Sequence, residues 1–355
     1  MKTVCFFGIY DPNYARNRVL ISGFKSNEYQ IVECRVDPRL FPGMKKYIQL
    51  FRAYQKIRLE KLDHVVVGFP GHTVVWLAYL FFGRRVIFDA FLSLYDSNVF
   101  DRKIYSTRSV GAYKDWFLDW YSCTLASKVL LDTHQHVHYF NKKFGIPEKK
   151  CLVVPISADD SIFYPQVKKK LSDRFTIHFH GMFIPLQGIS YIIDAAKILR
   201  NEKIIFNIIG KGQEFYVIQK QVRDEQLEKT VLLLGKKEFK KLPEYMSKAD
   251  VCLGIFGDTE KTKRVIPNKL YESVAMGRPV ISSDTPALRE IFTDNETILF
   301  CTVADGASLA NKILWLRENQ KKAEDIAKKG YVLFKDKLSP HAVVRDLMTT
   351  LLKVE

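Results

Sequence analysis

The segment VIPNKLYESVAMGRPV, residues 265–280, gathers the residue types most able to do chemistry. Pro267 suits the first turn of a helix, where its missing amide costs little, so Asn268 and Lys269 fall at the amide-rich, positive end of the helix dipole. A lysine has the wrong sign for that end. Its placement makes sense if an anion such as a diphosphate docks there, with Lys263 and Arg264 just upstream adding charge. Glu272 follows Lys269 by three residues, shares its helix face and can accept hydrogen bonds from a sugar hydroxyl. The same two residues also read as a solvated ion pair on an ordinary helix, and both readings stay open.

Two histidine groups compete for notice. In THQHVHYF, His134 and His138 can share a helix face, but His136 points elsewhere and no H-E-x-x-H spacing accompanies them, which argues against a metal site. His178 and His180 alternate onto one side of a strand. His180 adjoins Gly181, at the strand edge where a ligand would sit, although packed strand histidines are common.

Positioning these residues requires a folded chain of ample core. The 355 residues are 47% apolar, enough for two domains. Short apolar runs alternate with helical stretches, the pattern of parallel sheets built from βαβ units. TVCFFGI, HVVVGF, RVIFDAF, SKVLLDT and KCLVVPI supply strands of a first sheet; FTIHFHG, IIFNIIG, TVLLLG, DVCLGIF and RPVISSD supply a second. The polar, proline-bearing stretch 158–174, with three consecutive lysines, reads as the linker. The expected division is 1–165, 170–335 and a C-terminal helix, 336–355, packing back on the first domain. Three strands of the second sheet end in glycine, at Gly181, Gly210 and Gly235, on the edge where open α/β sheets bind ligands and backbone amides can approach an anion.

Charge is unevenly spread. Net charge is +16, and residues 1–170 hold 26 Lys and Arg against 15 Asp and Glu, so an anionic partner near the first half is expected. The six cysteines are scattered without a C-x-x-C pair, which suits a reducing compartment. No apolar run reaches the length of a spanning helix. FPGMKKYIQLFRAYQKIRLEK sets Met44, Ile48 and Phe51 on one helical stripe among Lys45, Lys46, Arg52, Lys56 and Arg58. Such a helix lies on anionic lipid or packs on its sheet.

The order HGMFIPLQGISYIIDAAKIL, FNIIGKGQEF, VLLLG, ADVCLGIFGD and IPNKLYESVAMGRPVISSD resembles the donor half of GT-B glycosyltransferases of the family 4 type, over residues 175–292. CLVVPISADDSIFYP is similar to the segment closing the first domain of such enzymes. The resemblance implies a GT-B fold, two Rossmann-like doubly wound α/β domains facing a central cleft. It implies transfer, with retention of configuration, from a UDP- or GDP-sugar to a glycan or lipid-linked acceptor in cell-surface polysaccharide or glycolipid synthesis. The nucleotide sugar is a co-substrate, no metal is expected, and the enzyme would be cytoplasmic or peripheral on the inner face of an anionic membrane. Glu272 matches the last glutamate of the family's E-x7-E motif, which holds the donor ribose. Gly235, Lys236 and Lys237 match the backbone that holds the nucleobase.

Two departures stand out. Arg264 occupies the place of the first glutamate, and where the family has Arg and Lys in its G-R…K-G segment this chain has Met182 and Gln187, both still expected at the donor site. Lys263, Arg264 and Lys269 are expected to carry the displaced charge, with Lys269 and Arg264 acting on the leaving diphosphate. By the same resemblance a base comes from the first half: Asp89 above all, or Asp96, Asp101 or His134. A helix cap or turn serves Asp89 equally well. Arg16, Asn17 and Arg18 open a helix at the expected acceptor edge. Two other classes remain, a non-catalytic GT-B-like subunit and a nucleic-acid-binding protein; no reader motif supports the second.

Overall fold

A computed structural model describes residues 2–167 and 173–354, so the run of three lysines expected in the linker lies outside the described residues. The chain divides into two compact units, 1–157 with 339–355, and 158–338. The boundary at Ser157/Ala158 precedes residue 165.

The first unit runs β1 (Thr3–Gly8), α1 (Ala15–Ser26), β2 (Gln30–Arg35), α2 (Lys45–Ile57), β3 (His64–Val67), α3 (Val75–Phe82), β4 (Val86–Phe91), α4 (Val110–Leu125), β5 (Lys128–Leu131), α5 (His134–Phe144) and β6 (Cys151–Val153). Its six strands lie in the order β2-β1-β3-β4-β5-β6, all parallel. β1, β3 and β4 are buried along their length, as central strands covered on both faces must be. Residues of α2 to α5 pack into one apolar layer; α1 packs into the other, with the C-terminal helix.

The second unit runs β7 (Phe175–His180), α6 (Ile189–Ile198), β8 (Ile204–Ile209), α7 (Phe215–Asp224), β9 (Val231–Leu233), α8 (Leu242–Ser247), β10 (Val251–Leu253), α9 (Asn268–Ala275), β11 (Val280–Ser283), α10 (Pro286–Arg289), β12 (Leu299–Cys301), α11 (Gly306–Glu318) and α12 (Gln320–Leu333). Its sheet is again parallel and six-stranded, β12-β11-β10-β7-β8-β9. In each sheet the strand that the apolar runs did not announce lies at an edge. β2 is mostly half-exposed, and β12 has three residues.

The final helix, α13 (Pro340–Val354), returns to the first unit and lies against α1. A Cβ at Gly23 would stand 2.3 Å from the Pro340 carbonyl oxygen and 2.5 Å from Val344 Cγ2, so the two helices meet where α1 has no side chain. Asn27 Nδ2 donates to the His341 carbonyl at 2.9 Å beside this contact. No helix among the described residues is long and apolar enough to cross a membrane. Gly23→Val should lower stability by about 1–3 kcal/mol; a thermal melt indistinguishable from that of the parent would contradict the packing described.

Candidate functional site

In β7, alternation puts His178 and His180 on one side of the strand. His178 Nε2 lies 2.9 Å from His180 Nδ1, and His180 Nε2 lies 2.7 Å from Glu272 Oε2. With the Glu272 carboxylate accepting from His180 Nε2–H, the facing His180 Nδ1 accepts from His178 Nε2–H. Burial, with His180 and Lys269 adding to it, holds the His178 pKa well below the usual histidine range, which keeps it a neutral donor. The chain of bonds fixes one oxygen of Glu272, and Oε1 has no hydrogen-bond partner among the described residues.

Helix α9 begins after Pro267, whose backbone is extended, and every residue from Lys269 to Ala275 is buried. The solvated ion-pair reading is therefore excluded: Lys269 and Glu272 are both 4% exposed. They also have separate partners. Lys269 Nζ donates to Gln187 Oε1 and stands 3.7 Å from the centroid of the Phe179 ring, a cation–π contact in a desolvated setting. Burial pushes the Lys269 pKa well below the usual lysine range, with Glu272 pulling it back up. An ammonium held by one amide oxygen and one ring is poorly compensated, and an anion arriving at this end of α9 would complete its shell.

The glycine turns close tightly around this point. A Cβ at Gly181 would lie 2.7 Å from Lys269 Nζ, and one at Gly210 would lie 1.8 Å from the Gly181 carbonyl oxygen. Gly210 N–H donates to the Gly235 carbonyl at 3.0 Å. Gly181, Gly210, Gly235, Gln187, Lys269 and Glu272 are thus brought together at the carboxyl edge of the second sheet. Met182 follows Gly181 and is exposed; Lys236 and Lys237 follow Gly235. Asn268 is the first residue of α9. Lys263 and Arg264 belong to a short turn, where they approach Glu260 at 2.5 and 3.9 Å. A cavity of about 460 Å³, lined by Phe175, Asp250, Arg278 and Pro279 among others, opens at the other edge of the sheet, where these strands begin, and is not part of this site.

The first unit corrects three expectations. Asp89 is fully buried and bound by Arg16 through Nε, at 3.1 and 3.0 Å, and Nη2, at 2.9 Å. Arg16 Nη1 donates to the carbonyls of Val154 and Pro155 at 2.7 and 3.0 Å. Neither a base nor an acceptor contact can be made by side chains whose charges are spent on each other inside the core. Asn17 is also fully buried, its amide bonding both the Phe69 N–H and carbonyl and the Asp11 carbonyl; it ties α1 to the loop after β3. Arg18, half-buried, donates to the Asn13 carbonyl at 3.3 Å. Asp96 and Asp101 are buried in the turn 96–101. His136 is buried against Asp132, and His138 lies exposed, 4.0 Å from Glu148. No group of three or more metal-ligating side chains occurs among the described residues.

Residues 160–332 match the family model described as glycosyl transferases group 1. The match takes in almost all of the second unit, residues 158–338. Among curated relatives, the amylovoran biosynthesis glycosyltransferase AmsK of Erwinia amylovora is 24% identical over 210 residues, 57% of this chain and 51% of that protein. The match therefore spans about half the relative's length. Among solved structures, sucrose-phosphate synthase of Thermosynechococcus elongatus superposes with a TM-score of 0.76 at 15% identity, covering all of both chains. Anabaena Alr3699/HepE in complex with UDP-glucose gives 0.71 at 15% identity, covering 99% of this chain and all of that one. The fold is GT-B, a pair of Rossmann-like domains.

Within the second unit, Phe179 acquires a role that sequence reading missed, and Gln187, expected at the donor site, a partner that it did not name. Gln187 stands out in sequence only as an uncharged residue where the family pattern that the chain resembles has lysine; its function as the acceptor for Lys269 is visible only once the two are adjacent. Because the unfolded chain binds a proton at Lys269 more tightly than the folded one, stability should rise with pH between the depressed folded value and the usual lysine range. In Lys269→Met that contribution should vanish, with stability at neutral pH unchanged or raised by about 1–4 kcal/mol. Denaturant titration across pH checks it: a marked loss of stability in this variant would mean that the ammonium is already well compensated.

Proposed function

We propose that the protein transfers a sugar from a nucleotide-sugar donor to a glycan or lipid-linked acceptor in cell-surface polysaccharide or glycolipid synthesis, with retention of configuration and at the cytoplasmic face of a membrane. The observation that carries this reading is the pairing of a buried, under-compensated Lys269 with a carboxylate fixed by His180 at one glycine-lined sheet edge. A Glu272 held through Oε2 offers Oε1 to a ribose hydroxyl. Lys269 and the first amides of α9 face the diphosphate, and the backbone of Gly235 to Lys237 takes the base. Support for a UDP-sugar comes from the HepE structure of the same fold, which holds UDP-glucose, and support for polysaccharide synthesis from the name of the amylovoran relative.

In the reaction the bond between the anomeric carbon and the diphosphate oxygen breaks as the acceptor hydroxyl oxygen forms a new one, negative charge grows on the departing phosphate, and the hydroxyl proton passes to that phosphate. A preorganised cation stabilises that charge without reorganising at the moment of transfer. Desolvation strengthens the effect, because an ammonium and a phosphate attract more strongly away from water. Arg264 and Lys263 add to the positive field from the neighbouring turn. No metal is needed for this chemistry, since the cation is supplied by the chain.

The missing Arg and Lys of the 181–188 turn favour one rival, a non-catalytic GT-B-like subunit. Thermal shift with UDP, GDP, ADP and CMP, free and as sugar conjugates, separates the two. One nucleotide should raise the melting temperature selectively, since a ligand bound only by the folded state stabilises it. The shift should disappear in Glu272→Ala and shrink in His180→Leu. No shift with any nucleotide at millimolar concentration would establish the subunit reading instead.

A further inference from the structure

The outer surface of the first unit carries an apolar face that its own core does not use. α2, α3 and α4 lie over the same side of the sheet and feed one buried layer. They are joined laterally, with the rings of Tyr47 and Trp76 5.7 Å apart and those of Tyr54 and Phe81 stacked at 4.1 Å. Between α3 and α4, Tyr121 donates to the His72 carbonyl at 2.6 Å, and Phe117 stacks on Tyr121 at 5.3 Å. Each helix turns large apolar side chains outward all the same: Ile48 (54% exposed) and Phe51 on α2, Trp76 and Leu80 (69%) on α3, Tyr113 and Phe117 (52%) on α4. Only Leu50 of α2 is fully buried; Tyr47, Ala53, Tyr54 and Ile57 pack partly buried on the core, and Ile48 and Phe51 face solvent.

The charges on this face have one sign. Lys45, Arg52 and Lys56 on α2, Arg84 and Arg85 after α3, and Lys114 on α4 are exposed. α2 and α3 contain no acid, and the two in α4, Asp115 and Asp119, are buried, where Asn98 and Ser93 donate to them at 2.7 and 2.6 Å. Glu60, exposed, follows α2. Exposed aromatic and aliphatic side chains set among lysines and arginines match an interface whose headgroups are anionic and whose interior is apolar. Amphipathic aromatics suit the boundary between the two.

We propose that this three-helix face docks on an anionic lipid surface, with Ile48, Phe51, Trp76, Leu80 and Phe117 entering the headgroup layer and the surrounding cations pairing with lipid phosphates. The inference deepens the membrane side of the proposed function and takes only the cellular setting from it. Binding is read with neither donor nor acceptor present, so failure of transfer and failure of docking are distinguishable.

The test is co-sedimentation of the full chain with vesicles of phosphatidylcholine alone and of phosphatidylcholine with an equal part of phosphatidylglycerol. The parent should bind the mixed vesicles, and bind them less as salt is raised. Ile48→Glu, Leu80→Glu and Phe117→Glu together should weaken partitioning by about tenfold or more, with an unchanged melting temperature. Should that variant be destabilised, Arg52→Ser, Lys56→Ser and Lys114→Ser together, all at exposed positions, should produce the same direction of change on the mixed vesicles alone. Absence of parent binding to the mixed vesicles would overturn the proposal, as would equal binding by both variants. So would a parent dimer or hetero-complex that the glutamate substitutions dissolve, since the face would then belong to a protein partner.

Discussion

An ammonium buried at the first turn of α9, with no carboxylate bonded to it, is the constraint on which the rest of the second domain depends. Among the described residues the Lys269 head meets only the Gln187 amide oxygen and the Phe179 ring, while the carboxylate one turn away on the same helix is bonded to His180. Had Lys269 and Glu272 closed on each other, both would be neutralised and neither would be available to a ligand. Burying an ion without a full set of partners costs several kcal/mol, a cost that persists in a fold when bound ligand offsets it.

The surrounding architecture follows from keeping that arrangement. A Cβ at Gly181 would lie 2.7 Å from the lysine head and force it to shift. Gln187 in place of a cation is the consistent partner, since a lysine there would place two ammonium groups against each other. Compared with the family pattern that the chain resembles, the cation stands on α9 and not in the 181–188 turn, still at the carboxyl ends of the strands. His178, neutral by burial, supplies the last donor of the relay and so holds His180 in the tautomer whose Nε2–H bonds Glu272 Oε2. In the first domain the Arg16–Asp89 pair plays a comparable structural part, binding the start of α1 to the end of β4 and to the chain leaving β6.

Much of this was legible in the amino-acid order. Strands with near-continuous apolar runs, such as IIFNII and TVCFFG, announce central parallel strands because both of their faces are covered. β2 was hidden because an edge strand such as QIVECR mixes polar and apolar residues without strict alternation. Lys269 and Glu272 were visible from type and spacing alone. Their partners were not, because His180 and Glu272 are distant in sequence and only the sheet brings β7 beside α9. Asp89 shows the converse error. An acid at a strand end in an apolar run looks catalytic, but the same pattern arises when an arginine on the next helix is buried against it, and residue type does not separate the two cases. The outward apolar stripes of α3 and α4 were missed for a related reason, since helix periodicity tells which residues share a face and not which face is covered.

The central claim is that Lys269 waits, partly stripped of its proton's stabilisation, for a diphosphate. Anion binding would raise the depressed lysine pKa, so association at mildly alkaline pH should draw protons from the buffer. Isothermal titration of UDP into the protein in two buffers of different ionisation enthalpy measures that uptake directly. The account predicts a buffer-dependent heat corresponding to proton uptake in the parent and its loss in Lys269→Met. Binding heats independent of buffer in the parent, or the same uptake in the variant, would show that the buried ammonium is not where the donor's charge is met.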